Sequence, residues 1–367
     1  MEFYVGSNNE DAGAGLRLLA FDETAGVLSE RFRVEDAKNP IYLALSPDGR
    51  SLYAAEDVSA HVSAPDPALP GGVSRFEVAP DGSLRRVQSL ALAPTVPCHV
   101  SLSPDGSALY WAEYRKAHCG ALALAPDGSM RAVSSFHHEG AVGPNAARQE
   151  APHCHLAGLG PDGRTVWVCD LGMDRVKAYR TGLAGGGPAA MEPAPELDFA
   201  APPGTGPRHL AFVPGTDLGL LPGTDLGLLV TELSSELFLL RFAEGSAPET
   251  LDRKSLLPDG FSGQTKAAAV RVSPDGRWAL ASNRGHDSVA AFGIDRSAGR
   301  LLVGARSKLA GPFPRDFAFA PGGAYCVVGH KLAHEVAMYR FDAATGALLP
   351  VPGATFGMPK PLAFVWR

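Results

Sequence analysis

One short hairpin recurs along this chain and constrains its fold more than any other feature. At 152–170 it reads Pro152-His-Cys-His-Leu-Ala-Gly-Leu-Gly-Pro-Asp-Gly-Arg-Thr-Val-Trp-Val-Cys-Asp170. This is a strand, a tight turn at Pro161-Asp162-Gly163, and a second strand ending in a carboxylate. Asp-Gly between two β-rich runs marks a hairpin, because glycine accepts the positive φ that the turn needs. The turn returns as Ser46-Pro-Asp-Gly-Arg50, Ser103-Pro-Asp-Gly-Ser107, Ser273-Pro-Asp-Gly-Arg277 and, in weaker form, Ala320-Pro-Gly-Gly-Ala324. A diverged copy stands at Val213-Pro-Gly-Thr-Asp217. The turn prolines Pro47, Pro104, Pro161, Pro214, Pro274 and Pro321 are 57, 57, 53, 60 and 47 residues apart.

Each unit also carries a second hairpin. Gly71-Gly-Val-Ser-Arg-Phe-Glu-Val leads into Ala79-Pro-Asp-Gly-Ser83, and Ser288-Val-Ala-Ala-Phe-Gly-Ile leads into Ser297-Ala-Gly-Arg300. Glu335-Val-Ala-Met-Tyr-Arg-Phe, followed by Ala344-Thr-Gly346, repeats the pattern. Two hairpins make four strands, and strand-rich units at a period of roughly 40–60 residues are the signature of a β-propeller. Six units lie within the chain and the ends supply a seventh. Pro361-Leu-Ala-Phe-Val-Trp-Arg367 matches the first strand of a unit such as Pro40-Ile-Tyr-Leu-Ala-Leu45, and Phe3–Ser7 and Leu16–Phe21 open the remainder. A blade shared by both ends closes the ring without an exposed sheet edge. The expectation is an all-β, seven-bladed propeller of four-stranded antiparallel blades, one domain over residues 1–367.

Three segments interrupt the rhythm. Val62–Pro70 and Leu183–Pro207 read as surface loops. Pro214-Gly-Thr-Asp-Leu-Gly-Leu-Leu221 is duplicated at 222–229, which reads as a longer turn able to shift the following strand by a register.

Composition narrows the function classes. The chain is 45% hydrophobic, enough for a large core, and its 42 Gly and 31 Pro fit a molecule full of turns. A net charge of −6 gives no basis for nucleic acid or an anionic membrane as partner. No 18-residue apolar run is present, and the opening Met-Glu-Phe-Tyr-Val lacks a basic, then apolar, leader. Five cysteines (Cys98, Cys119, Cys154, Cys169 and Cys326) without CxxC spacing read as reduced thiols. The expectation is a cytoplasmic protein, a monomer or weak dimer.

Numbering from each turn proline exposes the ionisable residues. Nine residues on, at the end of the second strand, stand Glu56, Glu113, Asp170, Asn283 and His330, with Glu232 read as their match in the duplicated unit. Six residues before it stand Ile41, Cys98, His155, Arg208, Ala268 and Arg315, flanked by Tyr42, His99, His209 and Asp316. An antiparallel hairpin brings both sets to one rim of the sheet. Glu56, Glu113 and Asp170 read equally as corner and inter-blade hydrogen-bonding groups, and His99 and His209 as strand-end core histidines. Arg208, Glu232 and Arg284, with Arg271 and His155, would put guanidiniums, a carboxylate and an imidazole around one opening, a mixture suited to an anionic ligand. His153 and His155 share a strand face as a metal pair would, but no third ligand is evident; no metal or cofactor is expected. His137 and His138 read as a solvated loop pair. No nucleophile elbow, Walker loop or dinucleotide fingerprint occurs.

On these motifs the chain resembles the seven-bladed β-propeller lactonases, a family that includes the propeller type of 6-phosphogluconolactonase and the fungal 3-carboxy-cis,cis-muconate lactonizing enzyme. The carriers are His153-Cys-His-Leu-Ala-Gly-Leu-Gly-Pro-Asp-Gly163, Asp170-Leu-Gly-Met-Asp-Arg-Val176, Gly206-Pro-Arg-His-Leu-Ala-Phe212, Glu232-Leu-Ser-Ser235, Ser282-Asn-Arg-Gly-His-Asp-Ser288 and Pro314-Arg-Asp-Phe317. They span essentially the whole chain, which lacks the Gly-His and Trp-Asp signatures of WD repeats. The resemblance implies a histidine (His153 or His155), Arg208, Glu232 and Arg284 in catalysis. Arg271, Asn283, Arg315, His99 and His330 are the accompanying substrate-binding candidates. The implied activity is metal-independent hydrolysis of an anionic or sugar-derived lactone at one channel mouth, with Glu232 or a histidine as base. Lactonizing cyclisation of a carboxymuconate and non-catalytic binding of a ligand or protein are the alternatives.

Overall fold

The computed structural model describes residues 1–8, 15–62, 68–182, 189–214 and 224–367. Seven antiparallel sheets follow one another around a central channel. Blade 1 comprises Lys38–Leu45, Ser51–Asp57, Gly71–Val78 and Leu84–Ala93. Blade 2 comprises His99–Leu102, Ala108–Glu113, His118–Leu124 and Met130–His137. Blade 3 is built on Cys154–Leu159, Thr165–Asp170 and Arg175–Thr181. Blade 4 comprises Pro207–Phe212, Thr224–Thr231, Glu236–Ala243 and Glu249–Ser255; blade 5, Lys266–Val272, Trp278–Arg284, Ser288–Asp295 and Arg300–Lys308. Blade 6 comprises Pro314–Phe319, Tyr325–His330, Glu335–Asp342 and Ala347–Gly357. In blade 7 the C-terminal strand Pro361–Trp366 pairs with Glu2–Ser7, and Leu16–Asp22 and Val27–Val34 complete the sheet. That closing ladder sets Phe3 opposite Trp366, Tyr4 opposite Val365 and Val5 opposite Phe364.

The repeated turn accounts for the regularity. Gly49, Gly106, Gly163 and Gly276 sit at φ of 70°, 70°, 65° and 69°, where a Cβ would be strained. The inner strands then alternate, and each sheet buries side chains against both neighbours. Seven apolar clusters result among the described residues, one at each blade-to-blade interface. Propeller stability is therefore distributed around the ring. Truncating one large interface residue such as Trp111 or Phe292, each about 1% exposed, is worth about 3–5 kcal/mol.

Three readings of the sequence are corrected here. The stretch 183–207 is more than a loop: Met191–Pro193 and Phe199–Ala200 both pair with the third strand of blade 3, with a short 3₁₀ turn at Pro195–Leu197 between them. Met191, Leu197 and Phe199 are buried, so apolar burial recruits the segment as an outer strand. His138 is not solvated but fully buried, whereas His137 is exposed. Finally, the residue in the ladder slot of blade 4 is Thr231, paired with Pro207 just as Asp170 pairs with Cys154 and His330 with Pro314. Glu232 lies one residue further on. Most of the tandem repeat, 215–223, falls outside the described residues.

Candidate active site

That single-residue offset decides which side chains reach the mouth of the channel. Glu56, Glu113, Asp170, Thr231, Asn283 and His330, the ladder-slot residues, are all fully buried. They serve the blades. Glu56 pairs with Arg86, and Glu113 accepts from the Arg115 and Lys116 amides at 2.7 and 2.9 Å. His330 meets the Tyr339 hydroxyl at 3.0 Å. The residues one step on, Asp57, Tyr114, Glu232, Arg284 and Lys331, line a cleft of about 570 Å³ at the mouth. Position at the strand end explains the division: the ladder-slot residue is still packed between blades, and its successor stands at or just past the end of the strand, at the mouth. The start of each first strand adds Ile41, Cys98, His155 and Arg315 to the lining.

The cleft is strongly basic in a chain of net charge −6. Arg115, Arg148, Lys266, Arg284, Arg315 and Lys331 line it against two carboxylates, Asp57 and Glu232. The two cation groups differ in kind. Glu232 is clamped by Arg208 Nε at 2.9 Å, Arg284 at 2.7 Å and Arg148 at 2.6 Å. These guanidiniums, Arg284 and Arg208 foremost, more than offset its burial and hold its carboxyl well below the usual range. Arg208 is buried beneath the cleft, and desolvation with the nearby Arg284 and Arg315 charges brings it down to about 9. Arg284 also donates to the Lys266 and Ala267 carbonyls at 3.0 and 2.7 Å. Arg315 and the Lys266 ammonium, by contrast, face the cleft with no hydrogen-bond or ion-pair partner among the described residues. Lys331 lies over the Phe313 ring at 5.9 Å, and burial with neighbouring Arg315 lowers it to about 8.

The histidines separate by depth. His155 lines the cleft, its Nδ1 4.0 Å from Cys98 Sγ, and burial beside Arg208 keeps it neutral, well below the usual imidazole range. His153 stands behind Tyr114: the rings stack at 4.2 Å, and His153 Nδ1 donates to the Tyr114 carbonyl at 2.9 Å. Tyr114 in turn accepts from Arg148 at 3.0 Å. His99 and His209 lie deeper in the channel with Tyr42, their ring centroids 5.5 Å apart, and Arg271 is paired there with Asp316 at 2.6 Å. Burial and the Arg271 and Arg208 charges push His99 down to about 3.

Of the sequence-derived candidates, the fold therefore brings together His155, Arg208, Glu232, Arg284 and Arg315. It sets His153 behind them, His99 and Arg271 below them, and Asn283 and His330 inside the blades. Arg148, Lys266, Lys331 and Tyr114 were not picked out by sequence reasoning. Counting ten rather than nine residues from the turn proline finds Tyr114 and Lys331; Arg148 sits on the connection between blades 2 and 3, where no repeat announces it.

A family model described as "Lactonase, 7-bladed beta-propeller" matches residues 2–366. The chain belongs to this family. As a propeller lactonase, it is an enzyme of the hydrolase class. It is 29% identical over 362 residues to a 6-phosphogluconolactonase of Bacillus subtilis, covering 98% of this chain and 96% of that protein. A solved structure of the periplasmic gluconolactonase of Pseudomonas aeruginosa is 27% identical, with a TM-score of 0.87 over 99% of this chain and 98% of that one. A putative 6-phosphogluconolactonase from Bacteroides fragilis shares the fold at a TM-score of 0.86 and 24% identity, covering 100% and 97%.

Proposed function

We propose that this lactonase hydrolyses an anionic sugar lactone of the 6-phosphogluconolactone type in the basic cleft, without a metal in the chemical step. The observation that carries the reading is Arg315: a half-buried guanidinium in the cleft with no hydrogen-bond or ion-pair partner among the described residues, beside Lys331 and Lys266. A partly desolvated charge gains by pairing, and a phosphate or carboxylate supplies the missing partner with charge-assisted hydrogen bonds. The likeness to the B. subtilis 6-phosphogluconolactonase favours the phosphate.

In this reading His155 is the general base. It is neutral and borders the cleft, whereas Glu232, shared by three guanidiniums, is a poor base and serves to hold Arg148, Arg208 and Arg284 in place. Water loses a proton to His155 and attacks the lactone carbonyl. The oxyanion that forms is stabilised by Arg284, whose geometry is fixed in advance by two backbone carbonyls. The ring C–O bond then breaks, and the leaving oxygen takes the proton back from His155, giving the hydroxy acid. Five free, buried cysteines fit a reducing compartment, and we place the enzyme in the cytoplasm on that ground.

The test is a substrate panel on the purified enzyme: 6-phosphogluconolactone, uncharged gluconolactone and a carboxymuconate. His155→Gln is expected to lower kcat about 10²–10⁴-fold, and Arg315→Ala to raise KM roughly 10–100-fold for the phosphorylated lactone only. Turnover of the carboxymuconate alone would establish the cyclase reading. No turnover of any of the three would leave a binding protein.

A further inference from the structure

Away from the mouth, blades 2 and 3 enclose a cluster that the lactonase chemistry does not use. Cys119 stands on the third strand of blade 2, Cys154 begins the first strand of blade 3, and His138 follows directly on the outer strand of blade 2. All three are buried, and Cys119 Sγ, Cys154 Sγ and a ring nitrogen of His138 lie within 4.8 Å of one another. Cys119 Sγ is 3.6 Å from His138 Nε2. The other ring nitrogen, Nδ1, is 2.7 Å from Asp170 Oδ2. Asp170 is itself fixed, its Oδ1 accepting from the His153 and Met173 amides at 2.8 and 3.0 Å. A carboxylate here must receive a proton, so Nδ1 donates, and Nε2 is the ring nitrogen turned toward Cys119 and the Tyr179 hydroxyl. This carboxylate–imidazole arrangement is the one that orients metal-ligating histidines. The Tyr179 hydroxyl, 2.8 Å from Nε2 and 3.8 Å from Cys119 Sγ, borders the same spot as a fourth donor atom.

We propose that Cys119, Cys154 and His138 form a structural site for one thiophilic divalent cation of the zinc type, with Tyr179 beside the fourth position. A cation at the centre of three atoms so close needs only small inward shifts to reach bonds of about 2.3 Å to sulfur and about 2.0–2.1 Å to nitrogen. Binding replaces two S–H bonds with two metal–thiolate bonds and releases both protons to solvent. Two thiolates neutralise a divalent ion, which suits an interior lined by Ala112, Ala117, Ala121 and Ala157. The ion would tie blade 2 to blade 3 and pin the start of the connection that carries Arg148 to the cleft. For the His153–His155 pair the sequence offers no third ligand; Cys154, the residue between them, has two candidate partners within 4.8 Å.

The test is anaerobic incubation of the reduced full-length enzyme with Cd²⁺ or Zn²⁺, followed by removal of loose ions. One ion per chain, about two protons released per ion, and a thiolate-to-cadmium ultraviolet band are expected. The band should be lost in Cys119→Ser, Cys154→Ser and His138→Ala but kept in Cys326→Ala. Anomalous scattering from Cd²⁺ in wild-type crystals locates the ion even if a variant fails to fold. Absence of an anomalous peak between blades 2 and 3, binding of Cu⁺ but neither Zn²⁺ nor Cd²⁺, or a Cys119–Cys154 disulfide that forms in place of metal uptake would each overturn the proposal.

Discussion

The two ends of the inner hairpins follow opposite plans. At the turn end blades 1, 2, 3 and 5 solve the same problem in the same way. Asp48, Asp105, Asp162 and Asp275 accept from the amides of Arg50, Ser107, Arg164 and Arg277 at 3.0, 3.0, 3.0 and 3.1 Å. The hydroxyls of Ser46, Ser103 and Ser273 donate to three of them. Each turn is satisfied within its own few residues. At the mouth the corresponding positions hold Asp57, Tyr114, Leu171, Glu232, Arg284 and Lys331, and Glu232 draws its partners from three segments. The repeated end folds the blades; the divergent end is where one ligand can be recognised.

That contrast can be broken by substitution. Glu232→Gln removes the charge shared by three guanidiniums and is expected to cost about 3–5 kcal/mol in denaturant unfolding. A loss below about 1 kcal/mol would mean that the arginines find solvent or other partners and that the cluster is not a unit. The pH dependence sharpens the point. Because the folded carboxyl titrates below its ordinary value, its stabilisation is present in full above the unfolded pKa of about 4.3 and is lost as pH falls further. Acid unfolding of Glu232→Gln should therefore be shallower than that of the wild type between pH 5 and the acid limit.

Smaller effects probe the unpaired cations. Lys331, lowered to about 8, loses its charge as pH rises through that value, so KM for an anionic lactone should climb above it. Lys331→Arg should flatten the profile, and an uncharged lactone should show neither effect. The smallest change belongs to the turn end: Asp275→Ala forfeits its local hydrogen bonds, about 1 kcal/mol of stability, and leaves kcat/KM untouched. A turn variant that altered catalysis would dissolve the distinction between the two ends.

The sequence made the fold legible because its signals are local and repeated: a Pro-Asp-Gly turn, alternating strands and a matching fragment at each terminus. The cleft was legible only in part. His155, Arg208 and Arg315 sit at repeat positions and Arg284 beside one, and all four were found by counting. Asn283 and His330 were counted just as well, yet one further residue along the strand separates an inter-blade side chain from one at the mouth. Burial of His138 was not readable at all. It lies beyond the last strand of its blade and is drawn in by Asp170, 32 residues away, a contact that only the packing of two blades creates.

The shared blade has a consequence for the order in which the molecule comes into being. Leu362, in the final strand, borders the cleft, and the first three strands of that blade are made more than three hundred residues before their partner. A ribosome delivers the chain from its N-terminus, at about 5–20 residues per second. Blades 1 to 6 can zip up in turn, but the ring cannot shut until Pro361–Trp366 has left the exit tunnel. Every chain short of that strand is thus an open arc with an unpaired edge at Glu2–Ser7, and the cleft gains its last wall only once Pro361–Trp366 has emerged.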